Sequence, residues 1–320
     1  MREGLKSTYY FLQKILRKDR RLLQKIRSEN LVVVLNLHQI SPHQNAFWPP
    51  LHPAIFDNLL RFLKENFELS LFSDLPETNS KKPRAVLSFD DGYYNFIEYA
   101  LPILNKHRIG ANMNIIPSCV ESGRPMWNIQ LYDFLNAAPL SLVNAIRLAG
   151  FSYKLKNDNS REKLLFGLRI SRFLKQRSRM ERQDLWHSLE NVMQKGEFSL
   201  TRMMSRDDVK NIADKCEIGV HSHSHESMEF EDNAFFEDDL EKCRNYFHDK
   251  LDLPLTTYAF PNGSFRAEQI EVLRKSGIKH ILLVGEDYAK KSGDIFPRFT
   301  IYGPSFIETK FQALGINKKI

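Results

Sequence analysis

Two aspartates and two histidines stand out for what surrounds them. Asp90 and Asp91 end the apolar run RAVLSF and precede Gly92. Adjacent carboxylates straight after a buried strand are costly to keep charged unless a cation compensates them. On a regular strand they would point to opposite faces, and Gly92 lets the chain bend so that both reach one cavity. The plainer reading is an ordinary Asp-Asp-Gly turn. His221 and His225 lie in IGVHSHSH, residues 218–225. On an extended strand, positions i and i+4 are roughly 13 Å apart, too far to share one ion. The strand must therefore end near His221 and coil, with His223 facing elsewhere. Two imidazoles, one carboxylate and an open position for water form the donor set of a catalytic zinc centre, not a closed structural one. A histidine-rich surface loop or core histidines bonded to backbone are the alternatives. A third polar cluster, YAFPNGS at 258–264, is first of all a turn. Its functional reading is a cavity wall whose backbone amides face a substrate oxygen.

The elements that must position these groups alternate. Apolar or β-branched runs at 31–40, 84–89, 109–116, 217–222, 256–260, 281–284 and near 299–302 predict strands. Helical patterns at 53–68, 95–106, 206–215, 234–249 and 266–276 fall between them. Such alternation implies parallel βαβ units, and the lack of a Gly-rich dinucleotide fingerprint favours a barrel over a doubly wound sheet. All three polar clusters sit at the C-terminal ends of predicted strands, where the catalytic groups of α/β barrels collect. Residues 118–200 hold helical patterns at 129–137, 140–148, 161–173 and 180–193 and no convincing strand, so they predict a helical insertion. Its second half is basic, through residues that include Arg161, Arg169, Lys175 and Arg182. That run is either a solvated face or a contact surface for an anionic substrate or lipid headgroup.

Composition excludes several classes. The 320 residues are 42% hydrophobic, 27% charged and 12% aromatic, which is globular rather than disordered, collagen-like or coiled-coil. Lys+Arg 46 against Asp+Glu 39 gives +7, and charge alone is the only pointer to nucleic acid, which is not expected as a partner. No stretch approaches the roughly 18–20 apolar residues of a membrane-spanning helix. Cys119, Cys216 and Cys243 are far apart and form no CxxC pair, so neither a disulfide framework nor a cysteine zinc site is expected. Residues 1–30 predict a single basic amphipathic helix. Leu5, Tyr9, Leu12 and Leu16 recur at helical spacing, Leu23 and Ile26 continue the stripe, and the other faces are rich in Lys and Arg. Such a helix lies on an anionic membrane surface or packs on its own domain with a solvated basic face. Charged residues interrupt every candidate signal-peptide core, so the expected location is the cytoplasm, with peripheral contact at the inner face of the membrane as the reading the helix adds.

SFDDG, IGVHSHSH and YAFPNGS, in that order, resemble the polysaccharide deacetylase family with its NodB-homology domain (carbohydrate esterase family 4) over about 82–303. The resemblance implies a distorted (β/α) barrel of about seven parallel strands over 31–320, interrupted by the insertion. It also implies a divalent-metal-dependent hydrolase of a linear amide C–N bond, a carbohydrate N-deacetylase. By motif position, Asp91, His221 and His225 are the implied metal ligands, with zinc the expected ion, and Asp90 is the implied general base. Tyr258, Pro261, Asn262 and Gly263 are the implied substrate-binding wall. Two departures stand out. Ala259 occupies the place of an Arg that usually orients the base, and no Leu-x-His supplies a general acid after residue 300. An exopolysaccharide-deacetylating branch is circularly permuted and carries that His on its first strand. Asn36-Leu37-His38 is similar, which makes His38 the candidate acid, the alternative being a structural strand-end histidine. Arg298 in FPRF is the candidate replacement for the orienting Arg. The implied activity is removal of an N-acyl group, acetyl foremost, from an amino sugar in a polysaccharide or glycolipid precursor. A deformylase acting on a lipid-linked sugar and a non-catalytic carbohydrate-binding barrel are the alternatives.

Overall fold

In the computed structural model, residues 3–75, 82–153, 155, 157 and 159–317 are described. Seven parallel strands close a barrel: β1 (Leu31–Leu37), β2 (Arg84–Asp91), β3 (Ala111–Ile115), β4 (Cys216–Val220), β5 (Thr257–Ala259), β6 (His280–Val284) and β7 (Ile295–Thr300). Each pairs with the next in chain order. β1 closes the ring, pairing Val32–Leu37 with Arg84–Phe89 on one side and Leu35 and Asn36 with Phe299 and Thr300 on the other. The last strand begins earlier than the sequence suggests. Proline cannot donate to a ladder and so reads as a strand end, yet Pro297 sits inside β7, opposite Leu283. That shift puts Arg298 within the barrel wall.

The period-2 alternation of the strands divides the molecule into two environments. Val33, Leu35, Leu37, Leu87, Phe89, Met113 and Ile115 point outward into the main core. There they meet Phe56, Leu59, Leu60 and Leu63 of α3 (Pro53–Asn66), which starts on proline as a first helical turn favours. The inward series begins apolar, with Val32, Val34, Val86, Leu282 and Phe296 packed together at one end of the barrel. Two residues further along the same faces come Asn36, Ser88 and Arg298, and β3 adds Asn112 and Asn114. All five are buried. The barrel is therefore plugged with hydrocarbon at the N-terminal ends of its strands and lined with hydrogen-bonding groups toward their C-terminal ends.

Over that second end lies the insertion. α5 (Trp127–Ala137), α6 (Ser160–Lys175) and α7 (Arg179–Met193) bury Phe134, Leu135, Phe166, Ile170, Leu174 and Leu189 against one another, and Phe47, Tyr93 and Ile116 from the barrel's upper loops join the same core. Asn159 caps α6, and Ser178 with Glu181 forms a capping box on α7.

The N-terminal region forms two helices rather than one, because Arg17 adopts a left-handed conformation (φ 53) between α1 (Glu3–Ile15) and α2 (Lys18–Ser28). Only part of the expected apolar stripe is core. Ile26 is fully buried with Leu22 and Leu23 packed beside it, and Tyr10 stacks on Phe311 of the last helix, α8 (Phe306–Ala313). Tyr9, Phe11, Leu12, Ile15 and Leu16, by contrast, are 40–60% exposed. No helix among the described residues is long and apolar enough to cross a membrane.

Candidate active site

Asp90 and Arg298 form the floor of the site. Arg298 is fully buried, and its two terminal nitrogens donate to Asp90 Oδ1 (2.7 Å) and Oδ2 (2.8 Å). Asn114 Nδ2 donates a further bond to Oδ1 (2.8 Å), and Ser88 Oγ accepts from both Asn114 and Arg298. Burial alone would raise the Asp90 pKa, but the Arg298 guanidinium and then His221 more than reverse it and hold the carboxyl well below the usual range. Asp90 is thus ionised and fixed in direction. Charge-assisted forks of this kind fix geometry as well as charge.

Asp91 reaches the same cavity because the strand ends in a left-handed turn, Asp91 at φ 79 and Gly92 at φ 76. A non-glycine residue held there costs on the order of 1–3 kcal/mol and persists only where the surroundings enforce it. Without a cation, burial and the neighbouring Asp90 push the Asp91 carboxyl up to about 8. Its buried Oδ1 has no hydrogen-bond partner.

β4 ends at Val220, and Ser222 (φ 55) and His225 (φ 61) coil the chain back on itself. The two imidazoles come to lie 5.0 Å apart between centroids. His221 Nδ1 lies 2.9 Å from the Ala259 carbonyl oxygen, which can only accept, so that nitrogen carries the proton and Nε2 is left bare. The bare Nε2 lies 3.6 Å from Asp91 Oδ1, and His225 Nε2 lies 3.5 Å from the same oxygen. Two ligands about 2.1 Å from a tetrahedral ion stand about 3.4 Å apart. The ligand atoms of Asp91, His221 and His225 all fall within 4.8 Å of one another, and the orphaned Oδ1 lacks only a cation. These residues fit a divalent metal ion. His223 turns away, its backbone N–H donating to Asp239.

His38 follows β1, faces the cavity and meets Trp48 edge-on with ring centroids 5.3 Å apart. Burial pushes its pKa down to about 4 against the attraction of Asp90, so the imidazole is neutral at pH 7 and must gain a proton before it can serve as an acid. The cavity measures about 220 Å³, and Asn36, Trp48, Tyr93, Tyr132, Asn262 and Thr300 are among the residues that complete it.

The third sequence cluster contributes one side chain only. Asn262, at φ 57, lines the cavity, while Pro261 and Gly263 form the turn that carries it and lie outside the lining. Tyr258 is displaced from its expected place. It points outward from β5 into the main core, fully buried against Phe236 and Phe260. The cause is the strand alternation, since its neighbour Ala259 takes the inward face.

Sequence reasoning missed Lys175. The last residue of α6 extends from the insertion into the cavity and donates to Asn262 Oδ1 at 2.6 Å. Burial lowers its pKa and Asp91 opposes that shift. Nothing in the basic run distinguished it from its solvated neighbours. Asn112 and Asn114 did leave a signal, being polar residues at alternate positions of a strand flanked by apolar ones.

Residues 173–281 match the family model for polysaccharide deacetylase. That segment contains His221, His225 and the 258–264 turn. Asp90 and Asp91 lie upstream and Arg298 downstream, and the fold unites them. No curated protein sequence matches the chain. Among solved structures, the chain is similar to the Streptococcus pyogenes deacetylase PplD in complex with acetate (TM-score 0.58, 15% identity, 89% of this chain and 98% of that one). It is also similar to IcaB from Ammonifex degensii (0.55, 15%, 89% and 97%) and to a polysaccharide deacetylase from Bacillus cereus (0.56, 14%, 89% and 69%). At these identities the likeness is one of fold. Fold and site together define a (β/α) barrel with an Asp-His-His cluster beside a clamped second aspartate. Over residues 173–281 the chain is similar to the polysaccharide deacetylase family, and its barrel has the fold of the deacetylase structures named above.

Proposed function

We propose that the protein hydrolyses the N-acyl amide, acetyl foremost, of an amino sugar in a polysaccharide or glycolipid precursor. The observation that carries this reading is Asp90, ionised and held by Arg298, with His221 Nε2 3.9 Å from its Oδ2 and the Asp91–His221–His225 set alongside. A divalent cation on those three ligands, zinc being the ion first expected, would polarise the amide carbonyl and acidify a water. Asp90 takes the proton of the attacking water as the new C–O bond forms. A backbone amide near Asn262 would help to hold the oxyanion. The proton that Asp90 takes passes to His38, and the imidazolium so formed gives it to the nitrogen as the C–N bond breaks, so that acetate and a free amine leave. Arg298 supplies the orienting guanidinium whose usual place Ala259 occupies, which speaks against a barrel that only binds carbohydrate.

The exposed apolar arc of α1 beside exposed Lys14, Arg17, Arg20, Arg21 and Lys25 supports peripheral contact with an anionic membrane surface, and with it a lipid-linked form of the substrate. The three buried, free cysteines fit the reducing inner face of that membrane.

The test is acetate release from N-acetylated amino sugars, measured with and without added zinc. Wild-type protein releases acetate only when metal is bound. Asp90→Asn keeps the metal and loses the release, while Asp91→Ala, His221→Ala and His225→Ala lose both. Metal-loaded wild-type protein that releases no acyl group from any amino sugar would overturn the reading.

A further inference from the structure

Beside the catalytic cavity runs a second, larger depression of about 870 Å³. The two share His38, Trp48 and Thr300, so the groove opens directly onto the site. Its walls are largely hydrocarbon and stiff, built from Trp48, Pro50, Leu51, Ile55, Ile301 and Tyr302 among others. Its far end reaches Lys6 of α1, the helix whose outward arc is apolar.

The polar groups in the groove are mostly spoken for. Lys6 pairs with Glu308 and lies over the Tyr302 ring. Gln39 accepts from Asn95 through its side chain and from Leu51 through its backbone carbonyl. His52 Nδ1 accepts the Ala54 N–H at the start of α3. Among the described residues, no carboxylate lines the groove. A saccharide chain needs many donors and acceptors to replace the water on its hydroxyls, because each one buried unpaired is penalised. An apolar chain needs none, and it gains from every square ångström it hides from water.

Resting on the proposed deacetylase reading, we infer that this groove holds the long apolar chain, polyprenyl or acyl, of a membrane-anchored amino-sugar substrate. The sugar enters the catalytic cavity at Trp48, and the chain leads past α3 toward α1 and the bilayer. The substrate class is thereby an amphiphile carrying a single reactive sugar near its head.

Binding to the Asp90→Asn protein, titrated calorimetrically, tests this without turnover. Three ligands are compared: N-acetylglucosamine diphosphate, the same head group bearing a farnesyl chain, and an N-acetylglucosamine tetramer. The farnesyl chain should tighten binding at least tenfold over the bare head group. Ile55→Glu should remove that gain while leaving the head-group affinity unchanged, which also reports an intact fold. The new carboxylate sits in the first turn of α3, where the helix dipole favours it. Tyr302→Ala, at a surface position, should reduce the gain in part. A farnesyl chain that adds no affinity overturns the inference. So does a tetramer that binds more tightly than the bare head group and loses that advantage in Ile55→Glu, since the groove then holds saccharide. Acetate release by wild-type protein is scored separately, so chain binding without hydrolysis sinks the activity and hydrolysis without a chain effect sinks the groove.

Discussion

Arg298 and Asp90 meet in a two-pronged pair, 2.7 and 2.8 Å, across 208 positions of chain. The pair is fully enclosed, so each partner is the other's main compensation for lost water.

Arg298→Lys keeps the charge and loses the fork, and kcat for acetate release should fall by on the order of a hundredfold, since misaligning a reacting group by about 1 Å costs that much. Arg298→Ala should also destabilise the fold by about 3–5 kcal/mol, because it strands a buried carboxylate. Urea denaturation should show the double variant Asp90→Ala/Arg298→Ala to be more stable than Arg298→Ala alone. The opposite order would mean that the pair is not coupled.

His38→Gln should lower kcat on an N-acetyl sugar by roughly 10²–10⁴-fold, the usual range for a positioned proton donor. A p-nitrophenyl acetate substrate, whose leaving group departs without a proton, should be affected far less. Equal losses on both substrates would leave His38 a structural residue.

The outward face of α1 predicts that Leu12→Glu with Ile15→Glu abolishes sedimentation with vesicles containing anionic lipid and leaves hydrolysis of a water-soluble substrate unchanged. Binding by the wild type should weaken as salt rises, because part of the attraction comes from the lysines and arginines beside that face. Vesicle binding that survives both substitutions would remove α1 as the contact.

Asp57 on α3 ties that helix to Lys106 and His107 at the end of α4 (Leu101–His107), with Arg61 one turn away. The hydrogen bonds from Lys106 and His107 hold its pKa down to about 2. A depressed carboxylate contributes stability above its unfolded pKa and loses that contribution as the pH falls through the folded value. Asp57→Asn should therefore cost about 1 kcal/mol near neutrality. The difference from wild type should vanish between about pH 4 and pH 2 in thermal melts.

How much of this could be read from the chain divides along physical lines. The β/α alternation and the barrel followed from hydrophobic periodicity, which acts within a dozen residues. The convergence of His221 and His225 followed from strand geometry, which forbids any other way for them to share an ion. Arg298 was visible as a residue type but not as a placement, because its position depends on a strand running through Pro297. Tyr258 went to the wrong side because a three-residue strand offers too little pattern to fix which residue faces in. Lys175 was illegible, since one lysine in a basic run reaches the cavity only through packing of the insertion. The exposed arc of α1 and the buried Ile26 belong to one continuous apolar stripe, and only the break at Arg17 separates their fates.

Because β1 is sandwiched between β2 and β7, the ring is sealed by strands far apart along the chain, and β1 is made long before β7. Until β7 emerges from the ribosome, β1 and β6 present bare, hydrogen-bond-hungry edges, the kind that recruit other chains into aggregates. A transcript that stops before Arg298 would accordingly yield no weakened enzyme, only an open and sticky sheet. The protein's yield in a cell then rests on how quickly that closure follows the synthesis of β7.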